Sequence, residues 1–275
     1  MELPERQRHP DLGPTELYCH GDASLLGSQA IAIVGSRDAS PDARHFAGIL
    51  ARSAAHAGLV IVSGGARGID FAAHDAALRI DYGRLICVLG SPLDRISPEI
   101  SARLCERIVE RGGVIVSEHP PGTRTYKGHF LDRNRIVAAL ADVTVVAAAR
   151  LRSGSLHTAR WAARLGKPVW AVPGPPWDTR LQGGNALIAS WQASPLVSVF
   201  DFVTAMRTMF GRDPSVFAPR RDPIATLLAE RAHSADELCT ALELPPERLP
   251  LAIYEHLRSG RIVRGADGKY RLVEG

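Results

Sequence analysis

Three short segments each place glycine, a hydroxyl side chain and arginine directly after an apolar run. They are Gly35-Ser36-Arg37 after IAIV, Ser63-Gly64-Gly65-Ala66-Arg67-Gly68 after VIV, and Arg150-Leu151-Arg152-Ser153-Gly154-Ser155 after VTVVAAA. Glycine lets an anion approach the backbone, serine adds a donor, and guanidinium supplies charge in a planar fork of N–H groups, so each segment holds the parts of a phosphate cradle. A single loop of this kind is more often an ordinary tight turn, but three at equivalent places reverse that balance. A fourth segment, HFLDRNRIVAAL, sets Arg133 and Arg135 on either side of Asn134 at a helix start, with Lys127 and His129 in the loop before it. Charge strung along an irregular loop suits an extended phosphate backbone better than one compact ligand.

Several other chemistries lack their residues. A dinucleotide site wants GxGxxG after the first strand and an acid at the end of the second, where this chain has GSR and Ser63; the Walker spacing GxxxxGK[ST] is missing as well. Asp70 and His74 share a helix face by spacing, and Ser63 and Ser153 are conceivable nucleophiles. The simpler reading has Asp70 complementing the helix dipole and bracing Arg67, with His74 packed between helix and sheet. Glu118 is the best candidate acid, yet no second carboxylate or histidine is spaced to pair with it. Tyr126, Phe130 and Trp177 stand in loops where a base could stack, although such aromatics more often anchor the loop. Cys19, Cys87, Cys105 and Cys239 are too far apart for a CxxC site, so they read as reduced and mostly packed, and no metal or cofactor is expected.

The elements that must position these loops follow from hydrophobic patterning. Six apolar runs, 31–34, 60–63, 85–90, 114–118, 143–149 and 169–174, are continuous rather than alternating, as in strands covered on both faces. The intervals between them hold amphipathic stretches near 41–57, from Ile69, 98–111, 132–141 and 155–165, long enough for crossover helices. The fold class is therefore α/β, a doubly wound, mainly parallel sheet, on which ligands bind where strands end and helices begin. After Phe210, GRDPSVFAPRRDP reads as a linker. Helical patterns at 223–231, 234–242 and 247–258 then precede a hairpin around Ala266-Asp267-Gly268, the pattern of a winged helix. The expected divisions are an N-terminal extension over 1–30, the α/β domain over 31–211, a linker over 212–222 and the small domain over 223–275. The 275 residues carry 33 basic and 29 acidic side chains, but only Lys127, Lys167 and Lys269 are lysines. That arginine skew fits phosphate recognition and fits coding bias equally well. No apolar run is long enough to span a membrane and the first residues lack a signal-peptide core, so the expected location is the cytoplasm.

In order and spacing, GSR, SGGARGIDFAAH, PPGT, KGHFLDRNRIVAAL, RSGSLHTA, VPGP and GGNALI resemble the DNA-processing protein A family (DprA, also called Smf), over about residues 20–195. The resemblance implies an extended Rossmann-like domain that binds single-stranded DNA, and because no pair of groups in the sequence demands chemistry, no catalysis is expected. It also implies a homodimer that helps load the recombinase RecA in natural transformation or related recombination. The family's DNA pocket maps here onto Gly35, Ser36 and Arg37, onto Ser63, Gly64, Arg67 and Gly68, onto Lys127, Arg133, Asn134 and Arg135, and onto Ser153, Gly154 and Ser155. Leu131 and Asp132 replace the proline and arginine usual before RNR. Ala147 replaces a glutamate and Ser97 a tyrosine. The alternative class is a nucleotide phosphoribohydrolase built on a similar sheet, but its PGGxGTxxE signature is missing here.

Overall fold

A computed structural model describes residues 2–5, 8–12, 16–97, 99–211, 223–242, 244–258 and 262–273. The chain divides into two compact units, Met1–Phe217 and Ala218–Gly275. The stretch read as a linker, 212–222, lies outside the described residues.

The first unit is built on β1 (Tyr18–Gly21), β2 (Ala30–Gly35), β3 (Val60–Ser63), β4 (Leu85–Leu89), β5 (Val114–Ser117), β6 (Val143–Ala148), β7 (Val169–Ala171) and β8 (Ser194–Pro195). They form one sheet in the order β1-β5-β4-β3-β2-β6-β7-β8, parallel throughout except for β1, which runs antiparallel to β5. The doubly wound, mainly parallel sheet anticipated from the six apolar runs is thus present. Sequence reading missed the two edge strands, because β1 (YCHG) is half polar and β8 (SP) has only two residues, so neither shows an apolar run.

Helices α1 (Pro41–His56), α2 (Ile69–Ala77), α3 (Glu99–Glu110), α4 (His129–Asp132), α5 (Asn134–Leu140), α6 (Ser155–Arg164), α7 (Gln182–Ala189) and α8 (Val199–Phe210) belong to the same unit. Side chains alternate along each strand and feed two cores. Ile31, Ile33, Ile61 and Cys87 pack with α1, α2 and Phe202 of α8, whereas Ala32, Val34, Val62 and Val88 pack with α5 and α6. This two-sided burial is why the strands read as unbroken apolar runs. Helix α1 opens as its sequence requires: Ser40 Oγ accepts from Ala43 N–H, Pro41 occupies the first position, and Gly58 follows the end at φ 72°. The helix expected over 132–141 instead starts at His129 and is interrupted at Arg133, which separates α4 from α5. Lys167 closes the far end of α5, donating to the carbonyls of Ala138, Ala139 and Ala141. One of the three lysines is therefore a helix cap.

The second unit contains α9 (Pro223–Glu230), α10 (Ala235–Ala241), α11 (Leu249–Arg258) and the antiparallel pair β9 (Ile262–Arg264) and β10 (Tyr270–Leu272). Ser234 caps α10 in a reciprocal capping box with Glu237. Ile224, Leu228, Leu238, Leu249, Ile253, Ile262 and Tyr270 form its core. The helix expected over 247–258 starts later: Glu247 and Arg248 belong to a 3-10 turn, Pro246–Arg248, and α11 follows. Among the described residues no helix is long and apolar enough to cross a membrane.

Candidate functional site

The carboxyl ends of β2, β3 and β6 face a cleft of about 340 Å³. Its wall takes Gly35 and Arg37 from the β2–α1 loop, Gly64 from the β3–α2 loop, and Ser153, Gly154 and Ser155 from the β6–α6 loop. Lys127, Arg133 and Asn134 complete it from the segment running into α5, together with Phe130 and Leu131. Residues 35 to 155 in sequence thereby meet in one place.

The other predicted residues, Ser36, Ser63, Arg67, Gly68 and Arg135, are not part of that wall. Ser36 is buried, and its Oγ accepts from the backbone N–H of Asp38. Ser63 Oγ donates to the Ile33 carbonyl at 2.7 Å, a contact across the sheet that commits the hydroxyl and removes it as a nucleophile. Gly68 stands at φ 95° against the carbonyls of Ser36 and Arg37. Arg67 is exposed and does not line the cleft. Arg135 pairs with Glu118, so the candidate acid at the end of β5 is held by a cation.

Gly68 shows how backbone geometry sets the cleft wall. A Cβ at this position would run into Ser36 O, and φ 95° is a region that L side chains rarely adopt. Gly68→Ala is expected to destabilise the protein by about 1–3 kcal/mol in urea unfolding. Gly154→Ala, where φ is −60° and no atom lies within 4 Å of a Cβ, should change stability by less than about 0.5 kcal/mol. Equal losses would remove the special role given to Gly68.

Arg133 is the central side chain, although not as a free phosphate ligand. It is 4% exposed, and its guanidinium donates to the carbonyls of Gly64 and Val88 and, through Nε, to Asn134 Oδ1 at 3.1 Å. Its other terminus lies 3.9 Å from Asp70 Oδ2. Asp70 therefore faces Arg133, which corrects the expected brace to Arg67. Burial pushes the Asp70 carboxyl above its usual range, while Arg133 and the backbone amides of Ala66, Gly35 and Gly64 oppose that shift. Burial likewise lowers Arg133, and Asp70 opposes it. The pair ties the β2 and β3 loops to the start of α5. No spacing rule joins positions 70 and 133, so sequence reasoning missed it. Asn134 continues the connection by donating to the Gly154 carbonyl at 3.1 Å.

Arg37 and Lys127 are the exposed cations on the wall, and among the described residues neither is in an ion pair. The Arg37 guanidinium lies over the Phe130 ring, 5.9 Å from its centroid, giving the cleft an aromatic face beside a charge. Lining the same cleft, α6 begins after Gly154, where Ser153 Oγ accepts from Ser155 N–H at 3.3 Å and lies 2.7 Å from Ser155 Oγ. A helix start that carries two hydroxyls is suited to a phosphate oxygen.

Beneath the cleft, His74 is fully buried in α2. Burial holds its pKa down to about 4, opposed by the Ser63 backbone and aided by the Arg133 charge, so the ring is neutral at pH 7. The packed reading of His74 is the one observed. All four cysteines are free thiols.

The family model for DNA recombination-mediator protein A matches residues 1–207. The chain belongs to that family. It is 35% identical over 275 aligned residues to a putative DNA processing protein DprA of Mycobacterium tuberculosis, covering 94% of this chain and 69% of the relative. It is 41% identical over 175 residues to protein Smf of Escherichia coli, covering 64% of this chain and 46% of that protein. Among solved structures, DNA processing protein A of Helicobacter pylori, studied for its single-stranded DNA binding mode, superposes with a TM-score of 0.68 at 32% identity, covering 78% of this chain and 97% of that one. The resemblance read from the motifs is therefore a family relationship.

Proposed function

We propose that this DprA-family protein is a cytoplasmic, non-catalytic binder of single-stranded DNA that protects the strand and passes it to the RecA recombinase, acting as a homodimer. One observation carries the reading. Arg37 and Lys127, drawn from loops ninety residues apart, stand exposed on the wall of a cleft that also holds the Ser153-Gly154-Ser155 turn. Two cations and a helix start along an open cleft fit a row of phosphates. The single-stranded DNA binding mode described for the Helicobacter pylori relative supports the choice of ligand. The titratable groups nearby favour binding over catalysis: Glu118 is paired with Arg135, Asp70 faces Arg133, and His74 is buried and neutral. In this reading residues 31–211 hold the strand, and 223–275 form a winged-helix-like domain whose weakly charged α11 suits partner contact better than base reading.

The test is a salt titration on single-stranded and duplex oligonucleotides. Single strands should bind more tightly, and Arg37→Ala/Lys127→Ala should weaken binding of all sequences alike. The slope of log K against log salt should fall by about 1.4, roughly 0.7 for each phosphate that the variant no longer neutralises. Wild-type affinity and slope in the double variant would rule the cleft out. RecA filament formation on strands already covered by the protein tests the hand-over.

A further inference from the structure

The loop 118–128 carries a second aromatic surface that the cleft does not use. Hydrogen bonds that do not use the Tyr126 ring hold the loop: Gly122 N–H donates to Asp94 Oδ2 at 2.9 Å, Thr123 Oγ1 donates to the Pro120 carbonyl at 2.7 Å, and His129 N–H donates to the Tyr126 carbonyl at 3.2 Å. The Tyr126 ring is therefore not required to anchor the loop, and it remains 57% exposed. It is nevertheless oriented. Tyr126 meets His129 edge to face, with centroids 5.4 Å apart and planes at 88°, and His129 stacks on His119 at 3.9 Å and 23°. The Arg124 guanidinium lies over the Tyr126 ring at 5.7 Å, as Arg37 lies over Phe130 at 5.9 Å. The rings of these two arginine–aromatic pairs, Tyr126 and Phe130, thus stand on either side of Lys127 in the chain, Phe130 at the cleft wall and Tyr126 outside it. A phosphate on Lys127 would place neighbouring nucleotides beside both rings. Each ring offers an apolar face with a cation in reach of the next phosphate.

We propose that Tyr126 is a second stacking subsite, which takes a nucleobase of the strand just outside the cleft, adjacent to the phosphate held by Lys127. The inference rests on the single-strand reading above. It adds a base contact to a site otherwise described by its phosphate contacts. A pre-oriented ring loses little freedom when a base stacks on it, and stacking accepts any base because every base has a π face. The subsite is accordingly specific for unpaired bases, not for sequence.

The experiment compares wild type with Tyr126→Ala, Tyr126→Leu and Tyr126→Phe on a thymidine oligonucleotide and on an abasic strand of the same length, each across a salt series. Tyr126→Ala and Tyr126→Leu should bind the thymidine strand on the order of tenfold more weakly with an unchanged salt slope, and Tyr126→Phe should bind it within about twofold of wild type. On the abasic strand all four proteins should be alike. Equal affinity of Tyr126→Ala and wild type for the thymidine strand overturns the subsite while leaving the cleft intact. A loss on both strands with a reduced slope also overturns it, since Tyr126 would then act by positioning Lys127. A wild-type protein that bound neither strand in a salt-dependent way would instead defeat the reading of the cleft.

Discussion

Arg133→Ala is expected to lose about 3–5 kcal/mol of stability in urea unfolding, the range for breaking a buried ion pair by removing one partner. The size follows from what the guanidinium serves. It satisfies the carbonyls of Gly64 and Val88 and is the cation facing buried Asp70. Its removal leaves the two carbonyls without that donor and the carboxylate without its counter-charge in a site where both partners are less than a tenth exposed. Lysine restores charge but not the fork, so Arg133→Lys should recover only part of the loss. Adding Asp70→Asn to Arg133→Ala removes the uncompensated charge and should also restore part of it, which a double-mutant cycle measures. A near-neutral Arg133→Ala that nonetheless binds single strands weakly would make Arg133 a direct phosphate ligand instead of a clamp.

Acidification should cost about 3 kcal/mol between pH 6.5 and pH 4 through His74 alone. The folded-state pKa of about 4 lies below the ordinary 6.5, so between those values the unfolded chain binds a proton that the folded chain refuses. The contribution is complete above pH 6.5 and is lost as pH falls toward 4. His119, also held below its ordinary value by burial and by His129, acts in the same direction. Asp70, raised by burial, opposes both at the acid end because its folded form takes up a proton more readily. His74→Leu should flatten this part of the stability profile, measured as the difference from wild type in urea midpoints across pH. An acid limb as steep in His74→Leu as in wild type would place the proton uptake elsewhere.

Placement separates the two kinds of arginine that composition could not. Arg107 pairs with Asp75 at 2.8 Å, and Arg180 pairs with Asp178 at 2.8 Å, as surface residues do. Arg37 is exposed on the cleft wall, whereas Arg133, two residues from the paired Arg135, is buried. All of them read alike in the sequence, since a side chain's type fixes its charge and reach but not its neighbours.

Local residue pattern was enough to specify the parallel core strands, α1 with its Ser40 cap, and the three glycine-serine-arginine loops at the carboxyl ends of strands. Continuous hydrophobicity marks strands covered on both faces, cap chemistry marks helix starts, and glycine marks the places where the backbone turns sharply. Four features arose only on folding: the antiparallel edge strand β1, the interruption of the helix at Arg133, the Asp70–Arg133 pairing and the meeting of Arg37 with Phe130. The last two join residues that are 63 and 93 positions apart. Only the assembled sheet order brings such residues together, because hydrogen bonds and charges act over a few ångströms of space irrespective of distance along the chain.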